Sequence, residues 1–156
     1  MGGAAFWPIT PVPAPRQVRS DAWAPSPSVQ RYRTFRDEVR WSGFKIPDPE
    51  RTHLIFLLPL PPSWPARQRA EYLGMPHRNK PDTDNLIKAL LDAVFLQDAG
   101  VWDIRGTKLW WSHGGILVLP LWPALPLRLP FDLAHTLDAY NAHSMPALGA
   151  RSRVKS

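Results

Sequence analysis

Thirteen consecutive residues, Lys80-Pro81-Asp82-Thr83-Asp84-Asn85-Leu86-Ile87-Lys88-Ala89-Leu90-Leu91-Asp92, hold three carboxylates, an amide and two lysines. Two carboxylates two residues apart repel each other and attract a cation. A hard divalent ion such as magnesium prefers oxygen ligands and is commonly held by one or two carboxylates, with water and substrate phosphate completing its shell. Lys88, one turn after Asp84, has two options. It can pair with Asp84, or it can reach a phosphate oxygen and offset developing negative charge. For Asp-x-Asp alone, the plainer reading is a solvated helix start with an ion pair, because the pattern is short and common.

A helix must position these groups. Pro81 fixes its own φ and biases Lys80 away from helix, so winding starts after it, with Asp82 placed as N-cap. At about 100° per residue, Leu86, Ile87, Leu90, Leu91 and Val94 share one face. Asp84, Lys88 and Asp92 lie on the other side. One face packs on a core while the other carries charge.

The rest of the chain bounds the partners. Its 156 residues suit one domain, and 44% hydrophobic composition is enough for a sizeable core. Nineteen Lys and Arg against thirteen acids give a net charge of +6, which favours an anionic partner such as nucleic acid. With no cysteine, disulfides and Cys-type zinc sites are excluded. The histidines lack metal-ligand spacing among themselves, and there is no phosphate-cradling glycine loop or serine-nucleophile motif. The apolar stretch 109–127 is broken by Ser112, His113, two glycines and prolines, so it does not read as a membrane helix. No signal peptide is evident, and a soluble cytoplasmic protein of a bacterium or phage-infected cell is expected.

Local patterns predict a poorly ordered start over 1–8, an edge strand from Ile9 to Pro13 and a helix from Ser28 to Ser42 stopped by Gly43. They predict a buried strand over His53–Leu58 and a short helix over 65–73 ended by Gly74. The central helix is expected to reach Leu96. A strand over Val101–Trp111, irregular near Gly106, is expected to turn at Ser112–Gly115 into a hairpin partner over Ile116–Leu121. A last helix over Phe131–Asn141 and a disordered basic end from Arg151 complete the reading.

The run Lys80-Pro81-Asp82-x-Asp84-Asn85-Leu86-x-Lys88-x-x-x-Asp92-Ala93 resembles the RusA family of Holliday-junction resolvases, frequent in phages and prophages. The family follows this helix with a paired-acid turn and a strand ending in lysine, and Asp98-Ala99-Gly100-Val101-Trp102-Asp103-Ile104-Arg105-Gly106-Thr107-Lys108 is similar to that segment. Gln97 departs from it, standing where the first of the two acids is usual; Asp98 matches the second, which the family uses as a ligand. Upstream, Pro13-Ala14-Pro15-Arg16, the Tyr/Phe-bearing helix, the apolar strand and Pro62-Ser63-Trp64 follow in similar order. The likeness covers residues 9–121, leaving a tail at 1–8 and an extension at 122–156 of unknown role.

The resemblance implies an α/β (α+β) homodimer with a small mixed or antiparallel sheet flanked by helices. It implies magnesium, with manganese able to substitute, held by Asp82, Asp84 and Asp98, and Lys88 assisting catalysis. It implies a four-way junction or other branched DNA as the partner, cut in recombination and repair, and no membrane. Arg16, Arg19, Arg78, Lys80 and Lys108 are candidates for the DNA backbone. Asn85 is expected to orient a carboxylate or to bond the first turn, and Asp92 to be a neighbour of the ligands or a solvated helix acid rather than a ligand. Two competing readings are a DNA-binding relative without catalysis and an Asp-x-Asp nucleotide-sugar transferase; the chain is short for the latter and lacks a nucleotide-binding βαβ signal.

Overall fold

The computed structural model describes residues 4–15, 24–48 and 50–120. In chain order these form β1 (Ala5–Trp7), α1 (Pro27–Trp41), β2 (Arg51–Pro59), α2 (Ala66–Tyr72), α3 (Thr83–Val94), β3 (Asp103–Trp111) and β4 (Gly115–Leu119). Arg16, Arg19, the expected helix over Phe131–Asn141 and the basic end lie outside the described residues.

The strand over His53–Leu58 forms as expected and lies inside the sheet, whose order is β1-β4-β2-β3. β2 runs parallel to β3 and antiparallel to β4, and β4 runs antiparallel to β1. The sheet is therefore mixed, in an α+β arrangement. Alternate residues of β2, Leu54, Phe56 and Leu58, are buried together with Ile116 and Val118 of β4, as side-chain alternation on a pleated strand requires. Onto this face pack Tyr32, Phe35 and Val39 of α1 and Leu86, Ala89, Leu90 and Leu91 of α3. Their spacing of three and four residues is that of a helix stripe. Gly43 (φ +71°) and Gly74 (φ +79°) follow α1 and α2 in the left-handed conformation that favours glycine.

Three expectations need correction. The first strand is Ala5–Trp7, not Ile9–Pro13; Ile9 instead enters the core, 2% exposed. Prolines at 8, 11 and 13 break the ladder there, while Ala5-Phe6-Trp7 has free amides and pairs with β4. Second, Ser112–Gly115 is not a hairpin turn. Trp111 pairs with Pro59, and Gly115 pairs with Leu57, so the short link steps over the end of β2 and the two strands never touch. The glycines there answer to close approach: a Cβ on Gly114 would stand 2.7 Å from the Cα of Thr10. Third, β3 is regular through Gly106, pairing residue by residue with β2 from Asp103 to Trp111.

Candidate active site

The start of α3 is assembled on β3. Ahead of the helix, the chain from Gly74 to His77 runs along the outer edge of that strand. The Gly74 amide donates to the Trp110 carbonyl (2.8 Å), the Trp110 amide to the Met75 carbonyl (2.9 Å) and the His77 amide to the Lys108 carbonyl (3.0 Å). A sheet edge is thereby covered. Two residues on, the Lys108 ammonium reaches over and donates to the carbonyls of Asn79 (2.8 Å) and Pro81 (2.6 Å). Two residues further back along β3, Gly106 lies under the first turn of α3. A Cβ there would stand 2.6 Å from Ile87 Cδ1 and 2.9 Å from Thr83 Cγ2. The glycine read from sequence as an irregularity is a seat for the helix.

This seat presents Asp82 and Asp84. Asp82 is the N-cap by position, and its carbonyl accepts the Leu86 amide (3.2 Å). Its carboxylate makes no capping bond. Neither Asp82 nor Asp84 pairs with another described side chain, and both are exposed. The positive end of the helix partly offsets their mutual repulsion. Beside them, the Ala14 amide donates to the Asn85 carbonyl (3.3 Å), which docks the Pro13–Pro15 segment against the helix start. A cleft of about 410 Å³ is lined there by Pro13, Ala14, Lys80, Pro81, Asp82 and Asn85.

Lys88 does not pair with Asp84. It pairs with Asp92 (3.2 Å), one turn onward, and both groups are substantially exposed. Lysine N-terminal to the acid is the less favourable order for an i,i+4 pair, and an exposed pair is worth about 0–1 kcal/mol. The ammonium is thus weakly held. Asp92 also accepts from the Tyr32 hydroxyl (3.4 Å). Burial, and then the neighbouring Asp92 charge, raise the Tyr32 pKa and keep that hydroxyl a donor.

Lys108, a candidate for the DNA backbone, uses two of its three N–H groups on the Asn79 and Pro81 carbonyls. Its first task is to hold the residues before α3. Arg78 and Lys80 are exposed, without an ion pair among the described residues.

Among the described residues, no three His, Cys, Asp or Glu side chains stand together where they could hold a metal ion. Asp98 lies in the loop after α3, where its carbonyl accepts the Val101 amide (2.9 Å). Asp82 and Asp84 fit a hard cation as two oxygen donors not committed elsewhere, a number sufficient when water and phosphate supply the rest.

A family model for endodeoxyribonuclease RusA matches residues 8–118, well over half of the chain. The chain belongs to the RusA endodeoxyribonuclease family. The RusA match takes in all three helices, β2, β3 and most of β4, and therefore the whole platform under Asp82. Among curated proteins, none matches the chain. No helix among the described residues is long and apolar enough to cross a membrane.

One feature of this RusA-family chain escaped the sequence reading. Trp64, Tyr72 and Trp110 meet in series, Trp64 edge-on to Tyr72 and tilted against Trp110 with 5.1 Å between ring centres in each pair, and the His77 ring lies 3.8 Å from that of Trp110. These residues come from the turn before α2, the end of α2, the covering segment and β3. The eight tryptophans in 156 residues were the available signal. Nothing in their spacing says that these would meet.

Proposed function

We propose that this chain is a magnesium-dependent, structure-selective endonuclease that resolves four-way DNA junctions by hydrolysing phosphodiester bonds, with manganese able to substitute. The observation that carries the reading is the pair of unpartnered carboxylates, Asp82 and Asp84, on a rigidly seated helix start in a RusA-family chain. Asp82 and Asp84 would hold the ion. Bound there, it would supply charge to the leaving oxygen and lower the pKa of a coordinated water.

The chain's own groups do the rest. The cleft beside Asp82 receives the backbone phosphate, with Lys80 in its lining supplying positive charge. Lys88 can leave its weak pair with Asp92 and place an ammonium where the transition state gains negative charge. Lys108 and Gly106 keep the two carboxylates on a fixed base, so the helix start need not reorganise when phosphate arrives. Asp98 enters as a third ligand on the resemblance alone. A homodimer would place two such sites about a two-fold axis, matching the pseudo-symmetry of a junction with two strands to cut.

The deciding experiment incubates a labelled four-way junction with the protein, with and without magnesium, beside linear duplex. Paired nicks that need magnesium and disappear in Asp82→Asn or Asp84→Asn support the assignment. Binding without nicking in wild-type protein favours the reading as a DNA-binding relative.

A further inference from the structure

These edge-on and tilted aromatics line one side of an open cavity of about 400 Å³, through Trp64, Tyr72 and Trp110, and Glu71, Met75, Arg78 and Asn79 line it elsewhere. We propose that this cavity takes a single unstacked nucleobase from the DNA strand whose phosphate lies at Asp82 and Asp84. The inference rests on the nuclease reading and adds to it how an unpaired strand is recognised.

The cavity's chemistry fits a base. Its volume falls within the roughly 300–1,000 Å³ of small-ligand sites. Its aromatic wall is stiff, because Trp64 contacts both Tyr72 and Trp110 while the His77 ring lies against Trp110. A flat ring offered to such a wall stacks whatever its sequence. Arg78 and Asn79 add a guanidinium and an amide, groups able to meet the polar edge of a base or the phosphate attached to it. Tyr72 and Met75 remain 42% and 52% exposed, so an incoming ring can reach them. Glu71 in the lining is paired with Arg67 (3.2 Å), whereas Arg78 has no ion pair among the described residues, so the aromatic wall and the Arg78 cation favour an anionic, ring-bearing occupant over an apolar peptide.

Position links the cavity to the acids. Arg78 and Asn79 line it, and Asp82 comes three residues after Asn79. Three residues span at most about 11 Å, and the Lys108 bonds to the Asn79 and Pro81 carbonyls fix this stretch at both ends. A base in the cavity and a phosphate at the acids therefore belong to nearby nucleotides of one strand. A paired, stacked base cannot enter. Unstacking costs least where pairing is already interrupted, so occupancy selects branch points over continuous duplex.

The test measures binding in EDTA, so that cleavage plays no part. The full chain is titrated against short single-stranded oligonucleotides and a four-way junction, each in a normal form and in forms with one abasic residue. For wild-type protein, removing one particular base should weaken binding about tenfold. Trp64→Ala and Tyr72→Ala should weaken binding to normal DNA by a similar factor and leave binding to that abasic DNA unchanged. Tyr72→Phe, which keeps the ring, should bind like wild type and guards against a mere folding defect. Equal affinity of wild type for normal and abasic strands overturns the proposal, as does an equal loss by the variants on both. The nuclease reading fails separately: if Asp82→Asn still cuts junctions, that reading falls while the abasic result stands.

Discussion

The two ends of α3 treat charge in opposite ways. Around its later turns each polar group has a partner: Asp92 meets Lys88 and the Tyr32 hydroxyl, and Arg40 Nε donates to the Ala93 carbonyl (3.1 Å). Nearby, Arg51 is paired with Asp103 (3.1 Å) and lies over the Trp102 ring. At the first turn, two carboxylates face solvent without partners, although Lys80 and Lys108 are close in sequence or space. The Lys108 ammonium could have neutralised an acid there, yet it holds backbone carbonyls. The later end is arranged for stability. The first turn is arranged to keep like charges together at some cost, and an arriving cation relieves that cost.

The sharpest way to break this comparison is to remove charge at the first turn. Asp82→Asn or Asp84→Asn should lower junction cleavage about a hundredfold or more, while thermal melting without metal holds or rises because repulsion is relieved. A fall in melting temperature would mean that these acids serve the fold. Next in size is the seat. Gly106→Val drives methyl groups into Ile87 and Thr83 and should cost about 1–3 kcal/mol in denaturant unfolding, with a further loss of cleavage as the helix start moves. Lys108→Met releases the Asn79 and Pro81 carbonyls. It should cost about 1–3 kcal/mol and reduce cleavage more than it reduces binding to junction DNA.

Protonation probes the same platform. Burial holds His77 below the usual histidine pKa, with the Lys108 charge adding to it; burial and Arg105 do the same to His53. Both are neutral in the fold and protonate more readily when it opens. The unfolded chain therefore binds more protons once pH falls below about 6.5, and stability should decline from there toward the depressed folded values. Melting curves at pH 7.5 and 5.5 check this, and His77→Phe should flatten part of the slope. The smallest effect belongs to the later end: Asp92→Asn removes an exposed ion pair worth about 0–1 kcal/mol, so melting should hardly move.

Much of this contrast was legible in the sequence, because α3 states its own geometry. Pro81 sets where winding begins, and Leu86, Leu90 and Leu91 set which face is buried. The motif brought the RusA family into view before any coordinates did. What stayed hidden depended on contacts between distant segments. Gly106 looks like a flaw in a strand until Thr83 and Ile87 are seen above it. That Lys108 holds the Asn79 and Pro81 carbonyls shows only once the two segments meet. The turn before β4 has the residues of a hairpin, and only the sheet order shows that β2 lies between the strands it joins. Asp98 matched a pattern by its place along the chain, and such a match carries no information about distance to Asp82.

The order of strands also bears on how a nascent chain matures. Among the described residues β4 is the last strand made, yet it sits between β1 and β2, pairing Val118 with both Ala5 and Leu54. Until residue 119 has left the ribosome, β1 has no neighbour and one edge of β2 stays open. Pairings between segments far apart in sequence form slowly, so this part of the sheet closes only after β4 has been made. A transcript truncated just before β4 should yield a product with a sticky, unfinished edge, prone to associate with other chains rather than to act on DNA.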